Sequence, residues 1–321
     1  MQSRESDKTI SGSNDMTSEV EIKRSVRQRL LNISRDKKED FQLILIRFAL
    51  ERFLFRLSKS KYADQFILKG AFLFLLWTKQ RYRPTRDLDL LGFGDSSSER
   101  ITRIFQDICN TKVEQDGLLF DVKSISASQI REAQEYGGQR VKLIALLGNA
   151  RIPLQIDIAF GDAITPNVHE VDFPSMLEMS KPRVYAYPKE TVVAEKLQSI
   201  VYLGMQNSRM KDFFDLLWFS KLFAFEGQVL LKAIKATFKR RNTDIPSQIP
   251  IALSDEFSLD QIKQIQWKAF LNKNGIIELS ENLTDIIDKL REFLLPPLYA
   301  AAGNDTFLHS WPSGGPWALK K

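Results

Sequence analysis

Apolar and polar positions along the chain change rhythm twice. From Thr17 onward, Val20, Ile22, Val26, Leu30, Leu31 and Ile33 recur at roughly helical spacing, with Arg24, Arg27 and Arg29 between them. A second helix is predicted over about 39–58, where Phe41, Leu43, Ile44, Ile46, Phe48, Leu50, Phe53, Leu54 and Leu57 are dense enough to imply burial on more than one side. The period then shortens. Strands are predicted over 66–68, 85–91, 118–125, 140–147 and 152–159, the last two as a hairpin around Gly148-Asn149. Two helices interrupt them: a short one over 71–77, and one over 99–109 that Ser97 or Ser98 can cap. Residues 161–188 read as irregular, broken by Pro166, Pro174, Pro182 and Pro188. After that the rhythm is helical again, over 191–203 with a stop at Gly204, then 208–222, 228–241, 259–272 and 283–295.

This order predicts an α+β fold, a small mixed β-sheet with flanking helices followed by a helical C-terminal domain. The expected division is a disordered polar tail over 1–16, N-terminal helices over 17–60, a sheet core over 61–188, and a helical domain over 189–321 that completes the active site. The ending HSWPSGGPWALKK is too apolar to float free and is expected to dock on the body. No internal repeat is visible.

Composition narrows the chemistry. The 321 residues carry a formal charge of +6, which favours an anionic partner such as nucleic acid. One cysteine, Cys109, excludes an intrachain disulfide framework and a cysteine zinc cluster, and two distant histidines, His169 and His309, argue against a histidine site. A metal would therefore rest on carboxylates, which points to a hard cation such as magnesium. Neither a secretory leader nor an apolar stretch of about 20 residues is present, so a soluble cytoplasmic protein without a membrane partner is expected.

Candidate chemistry begins in FILKGAFLFLLWTKQRYRPTRDLDLLGFG. On a strand, Asp87 and Asp89 share one face while Leu88 and Leu90 share the other. Two adjacent acids repel unless water or a cation relieves them. The Lys69-Gly70 turn allows close backbone approach to a ligand, and the helix start after it suits a phosphate, although a plain turn explains the glycine as well. The basic turn from Lys79 through Arg81 and Arg83 to Arg86 is open between acceptor contact and a solvated loop. Asp157, flanked by Ile156 and Ile158, reads equally as part of an exposed strand face and as a third metal carboxylate. On the predicted helix 208–222, Asp212 and Asp215 share a face and Lys211 can reach Asp215, an arrangement that surface ion pairs also explain. Neither a Walker-A loop nor the kinase motif set occurs. A glycine turn, paired strand acids and a later strand acid form a sensible order for metal-assisted phosphoryl transfer.

Four segments taken together, LKGAFLFLLW…RPTRDLDLLG, LQIDIAFGD, YPKETVVAEKL and NSRMKDFFDLLWF, resemble the successive motifs of the AbiEii/AbiGii-type nucleotidyltransferase toxins. That family is similar in fold to the DNA polymerase β superfamily. The resemblance covers roughly residues 20–317. It implies Gly70 as the glycine of the first motif, with Ala71 where many members carry Gly or Ser. It implies Asp87 and Asp89 as the metal-binding pair, and Asp157 as the third carboxylate, which helps activate the attacking hydroxyl. Lys196 matches the lysine of the A-E-K-L motif, expected on nucleotide phosphates. Asp212 matches the acid of the R-x-K-D motif, supported by Arg209, Lys211 and Asp215. Thr85 holds the place of a small hydroxyl residue before the acids, and Lys69 and Arg86 complete the candidate nucleotide contacts.

The expected function is a magnesium-dependent transfer of NMP from an NTP to an RNA acceptor, which relatives imply to be the tRNA 3′ end, with an antitoxin encoded alongside. Two alternatives stand beside it. One is a transferase modifying a protein or small molecule; the other is a non-catalytic nucleic-acid or partner-binding protein with a decayed site.

Overall fold

The computed structural model describes residues 8–78, 83–130, 138–276 and 282–320, with side chains from Glu19 onward. The turn residues Lys79 and Arg81 and the loop residue Gly137 lie outside the described residues. Two compact units are present, one formed by residues 1–161 and 170–186, the other by 162–169 and 187–321.

The first unit opens with helices Lys8–Lys37 (α1) and Phe41–Lys59 (α2). Helix α1 begins at Lys8 rather than at Thr17, so residues 8–16 of the stretch expected as a tail are helical, while residues 1–7 lie outside the described residues. Polar residues without periodicity withhold the burial signal but do not forbid a helix. In α2, Asp40 caps the start through Leu43 N at 2.9 Å. Its buried residues include nearly every apolar position, as the density predicted, and also Glu51, Arg52 and Arg56. These charges are paired. Arg56 forks onto Asp116 at 2.6 and 3.1 Å, Arg52 donates to Ser180 O at 2.6 Å, and Glu51 accepts from Met176 N at 2.8 Å and Ser175 Oγ at 3.0 Å. Burial pushes the Glu51 carboxyl above its usual range, against the opposing pull of Arg52.

The remaining elements of this unit are Phe66–Lys69 (β1), Leu73–Trp77 (α3), Asp87–Gly92 (β2), Ser98–Cys109 (α4), Leu118–Ile130 (β3), Gly138–Leu147 (β4), Ala150–Phe160 (β5), His169–Asp172 (β6) and Arg183–Ala186 (β7). The strands form one seven-stranded mixed sheet in the order β3-β4-β5-β2-β1-β7-β6. Strand β2 is central, antiparallel to β1 and parallel to β5. Its Leu88 and Leu90 are buried, and α2 packs on β5. The β4–β5 hairpin turns at Gly148, φ +58°, where glycine adopts the left-handed backbone without penalty. Residues 161–188 are less irregular than expected, because β6 and β7 occupy the gaps between the prolines. Each is four residues long, too short to show alternation. Ser97 stands at the N-cap of α4 but makes no capping bond; its hydroxyl turns back to Asp95.

The second unit is helical: Lys189–Leu203 (α5), Met210–Leu222 (α6), the short strand Phe225–Glu226 (β8), then Gly227–Arg240 (α7), Asp255–Leu259 (α8), Gln261–Lys273 (α9) and Leu283–Gly303 (α10). Helix α10 does not stop near 295 but runs through Pro296 and Pro297. Proline removes the N–H that would bond to the carbonyl four residues earlier. For Pro297 that carbonyl is Phe293 O, and the Trp317 indole donates to it instead at 2.9 Å. The C-terminal segment docks as expected, with His309–Trp311 (β9) and Ala318–Leu319 (β10) joining β8 in a three-stranded sheet. Trp311 is buried and donates to Ser220 O at 2.7 Å. Among the described residues no helix is long and apolar enough to cross a membrane.

Candidate active site

The face of the sheet opposite Leu88 and Leu90 is polar at its centre. Asp87 and Asp89 project from β2 two residues apart, Asp87 exposed and Asp89 half-buried. In the ladder, Asp89 stands directly across from Asp157 of β5 on one side and Lys69 of β1 on the other. Directly opposed residues share a face, so register alone gathers Lys69, Asp89 and Asp157. Gly70 follows Lys69 with φ +71°, and a Cβ built there would lie 1.9 Å from Asp89 Oδ2. Any other residue would occupy the space of that carboxylate. This close approach, rather than a turn alone, is what the glycine serves.

Asp157 carries a partner that sequence reasoning missed. Arg140 of β4 stands across from it in the ladder and binds both carboxylate oxygens, Nε to Oδ1 at 2.8 Å and Nη2 to Oδ2 at 2.7 Å. Gln155 reaches Oδ2 at 3.4 Å. The cost of an acid within an apolar strand is met here by a guanidinium fork. The signal was present as an alternating strand with Arg140, but pairing it with Asp157 requires the hairpin register counted from Gly148.

Among the described residues, no three His, Cys, Asp or Glu side chains stand together as a ready metal-holding group. The donor chemistry nonetheless suits a hard divalent cation. Two carboxylates share a strand face, and beside one of them is a glycine cradle that a Cβ would fill. Asp87 and Asp89 would hold the ion, whereas Asp157 has both oxygens engaged by Arg140. Thr85 donates to Asp87 O at 3.3 Å, stiffening the approach to β2, and Arg86 beside it is exposed.

In the second unit, α5 and α6 bring the later motif residues together. Lys196 Nζ lies 2.7 Å from Asp212 Oδ1 and 2.8 Å from Asp215 Oδ2. Arg209 Nε is 3.0 Å from Asp212 Oδ2. Both acids are buried, which overturns the surface-pair explanation, and it is Lys196 that pairs with Asp215 while Lys211 is exposed. Burial works against the charge on Asp212, but Lys196 and Arg209 together hold its carboxyl below the usual range. Although Arg209 is close enough for an ion pair, Asp212 Oδ2 accepts no aligned hydrogen bond among the described residues. A buried acceptor in this state is open to a donor supplied by a ligand. Asn207, fully buried, accepts from Arg209 N at 2.8 Å and fixes the entry to α6.

A cavity of about 300 Å³ opens elsewhere in the first unit, lined by Lys23, Arg56, Cys109, Lys112 and Asp116 among others. Its buried charges, Arg56 and Asp116, are already paired with each other. The motif acids do not line it.

Two solved structures resemble the chain distantly. JHP933 from Helicobacter pylori is 12% identical, with a TM-score of 0.45, over 80% of this chain and 94% of that one. A second H. pylori protein, described as a candidate nucleotidyltransferase, is 14% identical with a TM-score of 0.42 over 80% and 97%. No curated protein matches. Residues 52–289 match the family described as nucleotidyl transferase AbiEii toxin, type IV TA system, a span from α2 into α10 that takes in Gly70, all three strand acids and the Lys196–Asp212 cluster. The chain therefore belongs to the AbiEii nucleotidyl transferase toxin family of type IV toxin–antitoxin systems.

Proposed function

We propose that this member of the family is a magnesium-dependent nucleotidyltransferase, cytoplasmic, that moves a nucleoside monophosphate from an NTP onto an RNA acceptor, the tRNA 3′ end being the preferred one. The observation that carries the reading is the face shared by Asp87, Asp89 and Asp157 in register, with Gly70 giving up its side chain to make room for Asp89. In the reaction an acceptor hydroxyl oxygen bonds to the α-phosphorus, the bond to the bridging oxygen of the β-phosphate breaks, and pyrophosphate leaves. Asp87 and Asp89 hold magnesium, which when bound supplies charge stabilisation for the phosphates. Asp157 takes the proton of the attacking hydroxyl. Lys69, opposite Asp89 in the ladder, and Arg86, next to Asp87 in sequence, are the cationic groups that the first unit would offer the nucleotide. Lys196, oriented by Asp212 and Asp215, with Arg209 and Lys211, supplies the nucleotide-phosphate contacts of the later motifs. Modification of the acceptor end would block charging and arrest growth, with the antitoxin of the type IV system as the cognate partner.

The test is incubation of the purified chain with tRNA and each α-labelled NTP. Label on tRNA that requires magnesium and is lost in Asp87→Ala and Asp89→Asn is the expected result. No transfer from any NTP, with wild type and Asp87→Ala equal in their effect on growth, would overturn the reading. Label arriving on protein or a small molecule would remove the RNA acceptor and keep the chemistry.

A further inference from the structure

Arg140 and Asp157 form a two-point bond, which fixes the plane of the carboxylate as well as its position. Strand β4 lies on the far side of β5 from β2. The fork rooted on β4 therefore grips the Asp157 carboxylate from the side of β5 opposite to β2, the strand of Asp87 and Asp89. The first unit contains a second fork of the same kind, Arg56 on Asp116, and the contrast is informative. The side chains of that pair are 7% and 1% exposed, those of Arg140 and Asp157 are 38% and 19%. The first is sealed and structural. The second is half-solvated, where an ion pair is weak enough to be exchanged for a competitor.

We propose that Arg140 is a positioning residue that latches Asp157 aside, and that a divalent cation held by Asp87 and Asp89 must compete the latch open before Asp157 can face the same site. The inference rests on the metal-dependent reading above. A carboxylate oxygen cannot give its full charge to a guanidinium and a cation together, so the latch raises the metal concentration the site requires. It also keeps the third acid out of place while no metal is bound.

The experiment is titration of the full chain with Mn²⁺, reading free ion by its electron paramagnetic resonance signal, with circular dichroism on the same samples to verify folding. Arg140→Lys keeps the positive charge and loses the fork; Arg140→Gln loses both and serves as the second variant. Tighter Mn²⁺ binding by Arg140→Lys, on the order of three- to tenfold, is expected, a gain that disappears when Asp157→Asn is added. Arg140→Lys binding as wild type does, or a gain that survives Asp157→Asn, overturns the latch. Asp89→Asn separates the two ideas. If it abolishes wild-type binding while Arg140→Lys changes nothing, the latch alone falls; if no variant binds Mn²⁺, the latch falls together with the metal reading.

Discussion

At Gly70 the backbone has φ +71°, and a Cβ would meet Asp89 Oδ2 at 1.9 Å, Cγ at 2.6 Å and Cβ at 2.7 Å. Gly70→Ala therefore costs about 1–2 kcal/mol for the left-handed backbone alone, and it also displaces the carboxylate that the site depends on. The expected outcome is a chain that still folds, shown by denaturant unfolding, but that has lost nucleotidyl transfer. Retained transfer would mean that Asp89 tolerates a shift the packing forbids. Cys109 makes the opposite case, a nucleophile with no chemistry. Burial pushes its thiol up to about 12, against the opposing pull of Arg56. In the native chain it should resist thiol reagents at pH 8 and react at once in denaturant, because only the thiolate attacks. Fast native labelling would show that the α4 end opens.

At the scale of elements, α5 and α6 are pinned by Lys196 between Asp212 and Asp215. The folded Asp212 carboxyl titrates below its unfolded value of about 3.9. A depressed carboxyl contributes stability that is present above the unfolded pKa and lost as pH falls through the folded one. Wild type should therefore lose stability on acidification below about pH 4, and Asp212→Asn should show a shallower acid limb. At neutral pH the variant should be less stable by roughly 3 kcal/mol, the low end for a broken buried pair, since Lys196 keeps Asp215. Unfolding curves from pH 3 to 7 decide it; parallel limbs would show that Asp212 contributes nothing to the acid transition. Helix α10 depends on a remote donor in the same way. Trp317→Phe leaves Phe293 O without the indole N–H and should cost about 1–2 kcal/mol. These elements also show what the sequence could and could not reveal. Period and punctuation located both helices and the hairpin, because those signals are local. That Pro296 and Pro297 would not end α10 was illegible, since the substitute donor sits about one helix length away in sequence at Trp317. The same holds for Arg140 on Asp157, a consequence of ladder register, and for the buried charges of α2, which read as polar residues until their partners in distant loops are placed.

For the molecule as a whole, the order of the motifs was more legible than any single residue. Four weak segments in sequence led to the family, while the pairing of Lys196 with two acids needed the fold. The net charge of +6 belongs to this scale too, because a diffuse excess of cations acts on a polyanion through the whole surface. If the acceptor is RNA, binding must release counterions, and log affinity should fall linearly with log salt. Arg24 and Arg35 are exposed on α1, in the unit that carries the strand acids. Replacing both with Ala should lower the steepness of that line by about one for each phosphate no longer neutralised, and weaken binding across RNA sequences alike. Asp87→Asn should leave the slope unchanged, because a metal ligand is not a counterion-releasing cation. Filter binding of tRNA between low and moderate salt measures both. A slope unmoved by the α1 double variant would place the electrostatic track elsewhere, with the cationic end of α7 at Lys239 and Arg240 as the next pair to replace. A slope near zero for wild type would remove RNA as the acceptor, leaving the acid face intact and its substrate to be sought among smaller molecules.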